Sequence, residues 1–176
     1  MGLDAEHRQL VELPPAREDG PEAALEDYLR GRIALTAALG VRVAEAGQEC
    51  VRLTAPLAAN INHSGTVFGG SAAAVATLAA WGLLHLRLAA AGIRARTVIQ
   101  RSRMEYEHPI AADFEAECRL TDPAAWEHFT AMLKRHGRAR LQLLAELRCA
   151  DQAVGRFEGE FVALGAAHAA PDPAGP

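Results

Sequence analysis

From about Gly69 to Ala91 the chain runs through a long stretch, mostly alanine and leucine, that is apolar on every side of a helix and closes at Gly92. A helix without a polar face has to be buried on every face. It either crosses a membrane or is wrapped by its own domain. The stretch has about the length a bilayer requires. Yet alanine is barely hydrophobic, and Thr77, Gly82, His85 and Arg87 interrupt the run. Strand-like segments flank it and would be stranded beside a spanning helix. The expectation is therefore no membrane span, and a helix enclosed by sheet.

The remaining sequence supplies the sheet. Pro21 to about Leu35 reads as an amphipathic helix, with Leu25, Leu29 and Ile33 on one face. Gly40 allows a turn, and two strands follow around Val41–Val43 and Val51–Ala55, joined through Ala46-Gly47-Gln48. Beyond the apolar helix, Val98 to Tyr106 reads as a strand with Val98, Met104 and Tyr106 on one face and Gln100 and Ser102 among them. Phe114–Leu120, Leu141–Cys149 and Phe157–Ala163 alternate apolar and polar residues as half-buried strands. Asp122-Pro123 opens a helix that presents Trp126, Phe129 and Leu133, and Gly137 stops it. The pattern is α+β: an antiparallel sheet around one long buried helix. Open sheet edges invite a second copy.

At 176 residues the chain suffices for one domain, expected over 21–164. The arms at 1–20 and 165–176 are polar or Ala/Pro/Gly-rich and are expected to be disordered. The N-terminus lacks the apolar core of a signal peptide. The three cysteines, Cys50, Cys118 and Cys149, are far apart and odd in number, which fits free thiols in a cytoplasm and no metal site. A net charge of −4 gives no support for nucleic-acid binding.

The chemistry concentrates in Asn62-His63-Ser64-Gly65-Thr66-Val67-Phe68-Gly69-Gly70-Ser71. Paired glycines at a helix start admit a ligand or a second backbone. First-turn N–H groups lack intrahelical partners and carry positive potential, which suits a carbonyl oxygen that gains negative charge. Asn62 adds an amide that either contacts the ligand or makes an Asx turn.

An NxxGxxxGG motif followed by a long helix of small residues resembles the hotdog-fold acyl-thioester enzymes. The strings APLAANINHSGTVFGGS, ATLAAWGLL and RMEYEHPIAADFEAECRL are most similar to the YiiD-C-terminal-type thioesterases, and the resemblance covers about Leu25 to Leu164. It implies a hotdog fold, a homodimer or dimer of dimers with an interfacial pocket, and an acyl thioester of coenzyme A or acyl carrier protein as substrate. No cofactor beyond that carrier is implied. Asn62 then matches the motif asparagine and Gly70 the oxyanion-hole glycine. Two positions depart from the pattern: Phe68 stands where many relatives have His, and Thr77 where they place a carboxylate. An aromatic hydrocarbon cannot polarise a carbonyl, and threonine is no strong base at neutral pH.

That departure leaves three readings open. A thioesterase comes first, a malonyl-acyl-carrier-protein decarboxylase second, because parking enolate charge needs no base, and a non-catalytic acyl-thioester binder third. His63 is either a base or a solvated loop residue. Thr77 either holds a water or bonds its own helix carbonyl. Phe68, Gly69 and Ser71 are expected at the acyl group, and Gln100 and Ser102 are either pocket-lining or hydrogen-bonded core. Glu105, Glu107 and His108 read as surface strand and turn. The run Lys134 to Arg140, with Arg138 and Arg140, is either solvated or meets coenzyme A phosphates or an acidic carrier surface.

Overall fold

The computed structural model describes residues 20–165. The arms expected at 1–20 and 165–176 lie outside the described residues, except that Gly20 and Gly165 belong to the outermost elements. The elements are α1 (Gly20–Arg32), α2 (Ala34–Ala38), β1 (Arg42–Ala46), β2 (Cys50–Ala55), α3 (Leu57–Asn60), α4 (Gly69–Ala90), β3 (Ala95–Tyr106), β4 (Phe114–Arg119), α5 (Pro123–His136), β5 (Arg138–Cys149) and β6 (Gln152–Gly165). All strand pairs are antiparallel, and the six strands run in the order β1-β2-β4-β5-β6-β3.

The sheet packs around α4, which touches β2, β3, β4, β5 and β6. Eleven residues of α4 are buried, among them Val75, Leu78, Leu83, Leu84 and Leu88. Among the described residues α4 alone is long and apolar enough to cross a bilayer, and 61% of its most apolar stretch is buried inside the fold. Strand alternation supplies the enclosing wall. In β5, Ala139, Leu141, Leu143, Ala145 and Leu147 are buried, while Arg138, Arg140, Gln142, Leu144 and Glu146 are exposed. Gly159 of β6 sits between Phe157 and Phe161, whose rings would lie 2.8 Å from a Cβ there.

Both major flanking helices are anchored as their sequences indicate. In α5, Asp122 caps the first turn by accepting from the Ala125 N–H (3.0 Å), and Gly137 closes the helix at φ +66°. Its Phe129 and Leu133 join the core. In α1, Leu25 and Leu29 are buried, and Leu25 approaches α4 where Gly82 has no side chain. The helix ends at Arg32, short of Leu35, because Ile33 adopts an extended backbone before α2 begins.

One strand differs from its sequence reading. Val98 pairs with Val162 and Ile99 with Phe161, but Arg101 pairs with Glu160 and Met104 with Phe157. A bulge at Gln100 therefore changes the face halfway along β3. Ile99, Ser102, Met104 and Tyr106 share the inner side, and Val98 belongs to the other.

Candidate active site

The loop before α4 is folded around one side chain. Asn62 Oδ1 accepts from the N–H of Ser64 (2.7 Å) and Thr66 (3.3 Å), and its Nδ2 donates to Thr66 Oγ1 (3.0 Å) and the Val67 carbonyl (3.3 Å). Its backbone N–H bonds the Thr66 carbonyl at 2.7 Å, and Gly65 takes φ +78° to close the turn. This is an Asx-turn arrangement with both amide hydrogens already engaged. It leaves Asn62 as the organiser of the loop, not as a free donor aimed at a ligand.

Three bonds then fix the exit into α4. The Phe68 N–H donates to Asn60 O (2.7 Å), the Val67 N–H to Ile110 O (2.8 Å), and the Tyr106 hydroxyl to Gly69 O (2.9 Å). Asn60 is itself buried and donates to the carbonyls of Leu39 and Pro56. No side chain caps α4, and its first paired N–H is Ala72, bonded to Phe68 O. The N–H groups of Gly69, Gly70 and Ser71 find no acceptor among the described residues.

Gly69 and Gly70 border a cleft of about 460 Å³, whereas Ser71 does not line it. One wall is Thr66, Val67, Gly69, Gly70 and Ala72, and the other is Tyr106 to Ile110. The two glycines have different neighbours. A Cβ on Gly69 would stand 3.2 Å from the Tyr106 ring, and one on Gly70 would stand 2.4 Å from the Phe68 ring. The space beside Gly70 is thus already taken by Phe68, which is 59% exposed and does not itself line the cleft.

The remaining expected residues are not gathered here. His63 is exposed and does not line the cleft. Thr77 lies two turns along α4, roughly 10 Å from Gly70 at 1.5 Å per residue, and donates to Ala73 O at 2.8 Å. Ser102 and Gln100 are exposed on β3, and Gln100 accepts from Arg140 Nε at 3.0 Å. Arg138 and Arg140 border a separate groove with His128 and His136. Arg138 pairs with Leu164 and Tyr106 with Gly155. That spacing along β6 puts the groove roughly 30 Å from the cleft at about 3.3 Å per residue.

Conversely, Glu107 and His108, read from sequence as surface residues, and Tyr106, read as part of a strand, are exposed but also form a wall of the cleft. Glu107 and His108 both donate their N–H groups to Val154 O, which anchors the segment to β6. The signal was present in the run Glu105-Tyr106-Glu107-His108-Pro109, a dense set of polar groups beside a proline.

Two of the cysteines, Cys50 and Cys118, offer no nucleophile. Burial pushes the Cys50 thiol up to about 11 and the Cys118 thiol up to about 12, so both keep their protons. Glu45, Cys50 and Glu117 converge on the outer face of the sheet. There Arg119 bonds the Glu117 carboxylate at 2.6 Å and holds it below the usual carboxylate range, and Arg52 pairs with Glu45 at 3.6 Å. This is an ion-pair lattice around a protonated thiol.

The geometry of a cleft at the start of an enclosed helix agrees with the comparison to known families. The family model described as "Putative thioesterase (yiiD_Cterm)" matches residues 22–165. The chain belongs to the YiiD_C family. Solved structures agree in fold. A Chlorobaculum tepidum protein of unknown function aligns with a TM-score of 0.78 at 24% identity, covering 85% of this chain and 98% of that one. A Shewanella oneidensis protein called a putative thioesterase gives 0.73 at 23% identity, covering 81% and 96%. A Haemophilus influenzae thioesterase gives 0.65 at 12% identity, covering 82% and 90%. This YiiD_C protein therefore has the hotdog fold, and its family gives it a thioesterase-like character.

Proposed function

We propose that this protein hydrolyses acyl thioesters carried on coenzyme A or on the phosphopantetheine of an acyl carrier protein. The observation that supports this is the pair of unpaired N–H groups at Gly69 and Gly70, two residues that line the cleft at the positive end of a 22-residue helix. A thioester oxygen placed there gains hydrogen bonds as it becomes an oxyanion, and this kind of stabilisation is worth more in the transition state than in the ground state. Phe68 and Val67 supply apolar surface for the acyl chain. The basic groove at Arg138 and Arg140 is remote from the carbonyl, so it serves the carrier, with an acidic carrier protein as the fitting partner.

Decarboxylation of a malonyl thioester is the second reading. It is favoured by Thr77, whose hydroxyl is turned to Ala73 O, and by a helix that presents no carboxylate at that point. Enolate charge needs donors and no base. The deciding experiment incubates the protein with acyl- and malonyl-thioesters of both carriers and analyses the products by mass spectrometry. Hydrolysis releases free thiol and the carboxylic acid. Carbon dioxide with the thioester retained would establish the decarboxylase, and binding without turnover would replace both readings with a non-catalytic acyl-thioester binder.

A further inference from the structure

The site described so far has donors for an oxyanion but nothing to activate water. Within the cleft, the groups able to accept a proton are Glu107 and His108. Glu107 is committed elsewhere: its carboxylate meets Arg156 Nε at 3.3 Å. The imidazole of His108 has no ion pair or side-chain hydrogen bond among the described residues, and it stands exposed on the cleft wall. Its backbone is nonetheless well placed. The His108 N–H bonds Val154 O at 3.1 Å, Tyr106 two residues earlier bonds Gly69 O at 2.9 Å, and Ile110 two residues later accepts from Val67 at 2.8 Å. The segment is thus stitched to the start of α4 on both sides of His108.

Resting on the hydrolase reading, we propose that His108 is the general base that activates water for attack on a thioester held at the Gly69 and Gly70 N–H groups. A nitrogen of neutral His108 takes a proton from water as its oxygen bonds the carbonyl carbon. The carbonyl π pair moves to the oxygen, where the N–H groups receive it. When the tetrahedral adduct collapses, the carbon–sulfur bond breaks and its pair leaves on sulfur. The imidazolium returns the proton to the thiolate, giving one carboxylic acid and one thiol. The segment Tyr106–Ile110 takes over the task that Thr77 and Phe68 are chemically unable to perform.

The test compares wild-type protein with His108→Gln and His108→Gly on a thioester that the wild type hydrolyses. For His108→Gln, kcat should fall about 100- to 10,000-fold, the range of general acid–base contributions, with KM changed little. Added imidazole should restore part of the rate to His108→Gly and none to His108→Gln. Circular dichroism establishes that both variants fold. Retention of the wild-type rate by folded His108→Gln overturns the assignment. So does a loss confined to KM, or a loss in folded His108→Gly that imidazole does not rescue. A wild type that releases no thiol from any thioester overturns the hydrolase reading itself, and the base with it.

Discussion

Asn62 illustrates how a residue can be recognised by type while two roles for it, ligand contact and Asx turn, stay open until the fold is known. Its place in the glycine motif was legible from spacing. Its commitment to Ser64, Thr66 and Val67 was not, because the same amide serves a ligand or a turn depending on a backbone that only the fold defines. His108 is the opposite case. Its neighbour Tyr106 meets Gly69 across 37 residues of sequence, and no local pattern reveals such a contact. The Asn62 bonds lead to a prediction. Asn62→Ala removes four bonds and should cost roughly 1–3 kcal/mol of stability, the scale for unmade partly buried hydrogen bonds, together with a large fall in kcat. Asn62→Asp keeps both acceptor bonds and forfeits both donor bonds, so it should lie between the wild type and Asn62→Ala in melting temperature and in rate. Equal rates for the Asp and Ala variants at unequal stabilities would instead indicate that Nδ2 donates directly to substrate.

At the scale of elements, periodicity disclosed the strands and the enclosed helix, because burial on one face or on all faces writes itself into sequence directly. The bulge at Gln100 escaped, since a bulge is a property of two strands in register and only one strand is read at a time. The polar residue inside α4 also has a meaning that periodicity does not give. His85 is fully buried in a triangle of rings, 4.6 Å from Tyr28 of α1 and 4.8 Å from Trp81, and neither ring nitrogen has a partner among the described residues. Trp81 in turn donates to Thr97 of β3 at 2.9 Å. Burial alone pushes the His85 pKa down to about 4. The unfolded chain therefore binds a proton more readily than the folded one, so stability is fully present above the ordinary histidine pKa of about 6.5 and falls progressively as pH drops from there toward about 4. A shift of that size corresponds to a loss on the order of 3 kcal/mol by pH 4. His85→Phe should consequently lose less melting temperature between pH 7 and pH 4.5 than the wild type does. Parallel curves for the two proteins would show that the imidazole is already solvated or partnered in solution.

At the scale of the whole molecule, the two sheet edges are unequal. β1 is five residues long, carries a bulge and is covered by α1. β3 is twelve residues long, pairs among the described residues only with β6, and keeps just Ala95 buried. Val98 and Ile99 are 37% and 40% exposed on it. A long unpaired edge with apolar side chains is a template for another strand, and a twofold-related copy would present the same strand in return. We therefore expect a homodimer in which β3 meets β3, joining two sheets of six into one. This arrangement would also set the β3 residues Ser102 and Tyr106 close to the partner and so enclose the cleft, which is open in a single chain. Light scattering at micromolar concentration should give twice the 18.7 kDa chain mass. Val98→Lys combined with Ile99→Lys should shift that mass toward the monomer, because like charges would face one another across the axis. The folded core should remain, as neither side chain is buried. A wild type that is monomeric at those concentrations, or a lysine variant that stays dimeric, would mean that β3 is not the joining edge.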